Sequence, residues 1–70
     1  MDTLQNQLLE YISLDDNKSY LQELLIDDPE YFIIFVNMEI LGNHIGIDNY
    51  GEAGHEDLIY SSCDFIKNNI

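Results

Sequence analysis

The chain must hold a net charge of -12 on a body of only 70 residues, because 14 carboxylates face two lysines and no arginine. Self-repulsion on this scale works against any compact state. A domain of this length also buries only about 60% of the surface that its unfolded chain exposes, so its core is small. Yet 46% of the residues are hydrophobic, with three Phe and five Tyr, which is more than a solvated disordered tail carries. The combination predicts one folded acidic domain over residues 1–70.

The same imbalance excludes partners. DNA, RNA and anionic membrane surfaces would repel this chain, since phosphate binding needs Lys and Arg. Its one cysteine, Cys63, has no intramolecular disulfide partner, which fits a reducing compartment. The N-terminus carries no basic region followed by an apolar run, and the longest apolar run, Tyr31 to Val36, is six residues. Neither a signal peptide nor a membrane span is expected. We expect a cytoplasmic protein with no membrane contact and no direct nucleic-acid binding, either a monomer or a homodimer.

Periodicity predicts an all-α fold, a small bundle of about four helices. Leu4, Leu8, Leu9, Tyr11 and Ile12 recur at helical spacing behind Asp2 and Thr3, giving a first helix near 3–13. After a turn at 14–17, Asp16 or Asn17 caps a second helix whose apolar face is Tyr20, Leu21, Leu24 and Leu25. Pro29 disfavours helix at Asp28, so this helix stops near Asp27. Asp28 then caps a third helix with Pro29 in its first position. Its expected inner face is Tyr31, Ile34, Phe35, Met38, Leu41 and Ile45, and Gly46-Ile47 ends it. Apolar on nearly all sides, it should be the central, most buried helix. The last helix runs from about His55 to Asn68, with Leu58, Ile59, Cys63 and Ile66 inward and Asp57, Ser61, Asp64 and Asn68 outward.

An α+β alternative places a hairpin at about 31–50, in the order ααββα. Gly42-Asn43 would be its two-residue turn. Ile34, Val36, Met38, Ile40, Ile45 and Ile47 would then share one face, opposite Asn37, Glu39, His44 and Asp48. The helical reading is preferred because both ends of the helix are signalled.

Motifs for catalysis or metal binding fail on spacing. His55-Glu56 begins like a zinc-protease helix, but Ile59 occupies the place of the second histidine. A calcium loop starting at Asp48 meets Ala53 and Ile59 where glycine and an acid are needed, and one starting at Asp15 meets Tyr20 and Ile26. Cys63 with His44 or His55 could form a nucleophile and base, but so small a domain has little room for a cleft. Cys63 reads as a buried apolar residue. No enzyme activity, cofactor or metal is expected.

The acidity itself remains as the candidate site. A folded chain of 8.1 kDa exposes about 4,500 Å², or one net charge per roughly 370 Å². Duplex DNA presents about one phosphate per 100 Å². Imitating a phosphate backbone therefore requires the carboxylates to gather. Asp15 and Asp16 sit in one turn; Glu23, Asp27, Asp28 and Glu30 surround the junction of helices two and three; Asp48, Glu52, Glu56, Asp57 and Asp64 lie before and along helix four. Glu23 and Asp27 are like charges one helical turn apart, costing about 0.2–0.5 kcal/mol. One lysine would relieve that repulsion. Tyr50, in the loop before helix four, is the expected interface anchor.

The expectation is a small acidic inhibitor of the basic groove of a nucleic-acid-binding or nucleic-acid-cleaving protein. In size and charge the chain resembles the acidic inhibitors that phages direct against restriction or CRISPR effectors. Asp57-Leu58-Ile59-Tyr60 is similar to the tyrosine-bearing helix of nuclease-colicin immunity proteins, whose second consecutive tyrosine is Ser61 here. The alternative is a helical interaction module or homodimer joined through the apolar 31–41 segment, with the acidity serving only solvation.

Overall fold

The computed structural model describes residues 3–47 and 56–70. Those residues form an all-α bundle: α1 (Thr3–Ser13), α2 (Asp15–Asp27), α3 (Pro29–Phe35) and α4 (Glu56–Asn69). A π-helical segment, Val36–Ile45, continues α3 without a break. The described residues contain no strand, so the hairpin alternative is overturned. Gly42 and Asn43 lie inside the π-segment, where both ends of the helix are held by strong local signals.

Leu8 and Ile12 bury the face of α1, with Leu4 and Tyr11 half-buried beside them. Leu9, expected inward, is exposed. At the α1–α2 turn Ser13 Oγ donates to Glu10 O at 2.6 Å and Asn17 Nδ2 donates to Tyr11 O at 3.0 Å. These bonds satisfy carbonyls that the end of α1 leaves free. Asn17 is thereby committed to α1 and does not cap α2. Leu14 holds the cap position in extended backbone, with no side-chain bond, and Lys18 N donates to its carbonyl at 3.0 Å. Asp16 is likewise inside α2, where it and Asp15 meet the positive end of the helix dipole.

Asp28 ends one helix and starts the next. Its N–H donates to Leu24 O at 2.9 Å, its carbonyl accepts from Phe32 N at 3.1 Å, and its Oδ1 accepts from Tyr31 N at 3.2 Å. Pro29 follows in the first turn, where its missing N–H costs nothing. The break between α2 and α3 is thus a single residue, as the sequence signalled.

Of the inner face expected for the third helix, Phe35, Leu41 and Ile45 are at least half-buried and the other three residues are not. Phe32, Val36, Ile40 and Leu41 are fully buried and Ile45 is half-buried, whereas Tyr31, Ile34 and Met38 are exposed. Tyr31 and Ile34 are turned away from Phe32 and Val36 within ordinary α-helix, and from Val36 onward the winding decides. A π-helix bonds five residues back rather than four, so an inward stripe recurs every four to five positions, which fits 36, 40–41 and 45. The helix ends at Gly46, whose φ of 89° is left-handed and whose N–H donates to Leu41 O. Ile47 N donates to the same carbonyl at 2.7 Å. The glycine stop stands as expected.

Helix α4 packs against α1, α3 and the π-segment, while α2 packs against α1 and α3. Cys63 and Ile66 are buried, Ile59 and Leu58 half-buried, and Asp57, Ser61, Asp64 and Asn68 face out as anticipated. His55 lies outside the described residues. Ser62 is buried as well, and its Oγ has no partner among the described residues. The carbonyl one turn back, Leu58 O, accepts instead from Ser61 Oγ at 3.2 Å.

Candidate partner-binding surface

Two contacts fix how the acidic groups are distributed. Lys67 Nζ stands 5.8 Å from the centre of the Phe32 ring, and Gln22 Nε2 donates to Ile70 O at 2.9 Å. The C-terminal end of α4 therefore lies against the start of α3 and the middle of α2. Glu56 and Asp57, at its other end, are ten to eleven residues back, or about 15 Å along the axis. The junction carboxylates Glu23, Asp27, Asp28 and Glu30 and the Glu56–Asp57 pair consequently stand at separate ends of α4. Asp64 lies one turn from Lys67, on the junction side. Asp48, Tyr50 and Glu52 lie outside the described residues.

The carboxylates of α2 form a line. Asp16, Glu23 and Asp27 recur at spacings of seven and four, which places them on one helix face together with Tyr20. All four are exposed, and so are Asp15, Asp28 and Glu30. Lys18, two residues from Tyr20, points to the far side of α2, and Lys67 is engaged over Phe32. No ion pair joins two described residues, so no lysine contacts this acidic stripe.

Beside the stripe lies an apolar surface that was expected to be core. Tyr20 is 42% exposed, Tyr31 41%, Ile34 48% and Met38 44%. Tyr20 meets Phe35 edge-on across the α2–α3 seam, with ring centres 5.0 Å apart, and Tyr31 lies 6.4 Å from the same ring. Tyr31, Ile34 and Met38 run along the outer face of α3 and into the π-segment. Glu30 flanks this row at one end. Glu39 flanks it at the other, its Oε2 accepting from Asn43 Nδ2 at 3.1 Å. An apolar centre rimmed by carboxylates has the anatomy of a protein–protein interface. Glu23, Asp27 and Glu30, singled out from the sequence, border this surface, whereas Tyr20, Tyr31, Ile34 and Met38, expected to face inward, are exposed on it.

The remaining candidates are structural in their surroundings. Burial pushes the Cys63 thiol up to about 11, with Lys67 opposing and Asp64 adding to the shift. The thiol is therefore protonated at neutral pH, which suits a core residue rather than a nucleophile. His44 lies edge-on to Tyr11 at 5.0 Å. Burial, then the charges of Glu39 and Tyr20, raise the Tyr11 phenol above its ordinary value. Among the described residues no three Asp, Glu, His or Cys side chains stand close enough together to hold a metal ion, and no helix is long and apolar enough to cross a membrane.

No protein-family model matches this chain, and neither curated proteins nor solved structures provide a match.

Proposed function

We propose that this chain is a small acidic inhibitor that occupies the basic groove of a nucleic-acid-binding or nucleic-acid-cleaving protein. The supporting observation is the α2–α3 face, where unneutralised carboxylates border exposed Tyr20, Tyr31, Ile34 and Met38. Charge speeds encounter with a basic surface and makes the complex salt-sensitive. The apolar centre supplies the desolvated anchor that charge alone lacks. The chain's accessible surface of 4600 Å² dilutes the net charge to one per roughly 380 Å², several-fold below duplex DNA. The inhibitor thus competes through one local face and does not copy a duplex all round. A role against restriction enzymes or CRISPR effectors, or as a nuclease immunity protein, is the specific form of this reading, and it places the chain in the cytoplasm with its target.

The test is capture of partners from host lysate on the immobilised chain at low and high salt. A basic, nucleic-acid-handling protein released by salt, and active on nucleic acid again once released, is expected. A partner that is neither basic nor nucleic-acid-handling, or retention indifferent to salt, refutes the reading.

A homodimer through 31–41 is the second reading, favoured by the exposure of Tyr31, Ile34 and Met38. Phe32 and Val36 are not available to it, since both are fully buried in the chain's own core. Sedimentation velocity separates the two readings: a tight dimer at micromolar concentration favours the second.

A further inference from the structure

We infer that the occupant of the α2–α3 face is a cationic amphipathic helix of the partner. The inference rests on the inhibitor reading and names the partner element that reading leaves open. It starts from the shape of the apolar row. Tyr31, Ile34 and Met38 are spaced three and four residues apart on one helix, a row about 10 Å long, and Tyr20 widens it across the seam at Phe35. A row of this length matches the apolar stripe of a second helix, whose contacts recur at i, i+3, i+4 and i+7.

Charge chooses the rest of the occupant. Glu23 and Asp27 line the α2 side of the row, and Glu30 and Glu39 stand near its two ends. A helix that lays apolar side chains on Ile34 and Met38 brings its flanking residues over these carboxylates, so those flanks must be Lys or Arg. Arginine also stacks on an exposed Tyr20 or Tyr31 ring. A second copy of this chain fits less well. A two-fold interface sets the same rim against itself, and the described rim contains carboxylates but no cation.

The probes are two synthetic peptides of identical composition, rich in Lys, Arg and Leu. One is arranged as an amphipathic helix with a leucine row; the other is scrambled to destroy the row. Each is titrated into the full chain while amide chemical shifts are followed. The expected result is at least tenfold tighter binding of the amphipathic peptide, with shifts centred on Tyr20, Tyr31, Ile34 and Met38. Ile34→Ser with Met38→Ser, both exposed positions, should remove that preference while the circular dichroism spectrum stays unchanged. Equal affinity for the two peptides, absence of binding, or shifts centred on Glu56 and Asp57 overturns the inference. So does a dimer that buries this face in sedimentation velocity. The two levels fail separately. A salt-released basic partner whose capture survives the Ile34→Ser, Met38→Ser variant sinks the helix inference alone. Amphipathic-peptide binding without any nucleic-acid-handling partner sinks the inhibitor reading alone.

Discussion

Asp28 joins two roles that single substitutions can separate. Its Oδ1 accepts from Tyr31 N at 3.2 Å and caps α3, while its charge sits beside Asp27 and Glu30. Asp28→Ala removes both the cap and the charge. Loss of an N-cap costs about 0.5–2 kcal/mol, typically ~1, and relief of like-charge repulsion returns about 0.2–0.5 kcal/mol. Destabilisation of about 0.5–1 kcal/mol is therefore expected, since the two backbone bonds made by Asp28 remain. For a domain of this size it lowers Tm by about 3–6 °C. Asp28→Asn keeps an oxygen that accepts from Tyr31 N and removes the charge. It should match or exceed the parent by up to about 0.5 kcal/mol at low salt. Urea unfolding followed by circular dichroism reads both variants, and added salt should narrow the difference between Asn and the parent while leaving the Ala deficit. If Asp28→Ala proves as stable as Asp28→Asn, the side-chain bond contributes nothing and the account of this hinge is wrong.

Two further outcomes test the core and the end of the third helix. Gly46→Ala meets no atom within 4 Å, so only the left-handed φ of 89° opposes it; it should cost about 1–2 kcal/mol in urea unfolding, and a neutral result would mean that the backbone there is not left-handed. The Cys63 thiol, pushed up from an ordinary value of 9.0 to about 11 in the fold, binds its proton more tightly when folded. Stability should be fully present below about pH 9 and decline as pH rises towards 11. Cys63→Ala should flatten that decline in pH-dependent thermal melts, and an unchanged slope would place the titration elsewhere.

What could be read from the sequence was whatever is decided within a few residues. Asp28-Pro29 announced the α2–α3 break because a cap and a proline act on their own turn. Gly46 announced the end of the third helix for the same reason. The cap of α2 was misread because the amide of Asn17 is contested by Tyr11 O, on the preceding helix. The third helix was misread in part: Tyr31 and Ile34 were set on the inner face although Phe32 and Val36 hold it within ordinary α-helix, and an α period was carried past Val36. The spacing of Val36, Ile40, Leu41 and Ile45 carried the wider period, but it shows only when those four positions are taken as one inward set. The separation of the Glu56–Asp57 pair from the α2–α3 junction was beyond sequence reach. It depends on where α4 docks, which is visible only in Lys67 over Phe32 and Gln22 on Ile70.

The π-winding of Val36–Ile45 ties the inside of this protein to its outside. A helix is a single rigid screw, so its pitch sets the bearing of every side chain at once. The turn that brings Ile40, Leu41 and Ile45 towards the core is the same turn that presents Met38, Glu39 and Asn43 to solvent. Were the screw to tighten to α-pitch at a fixed Val36, Met38 and Glu39 would swing round the axis with the core residues. Hydrophobic packing at the centre therefore aims part of the outer face, and the two surfaces of this segment cannot vary independently.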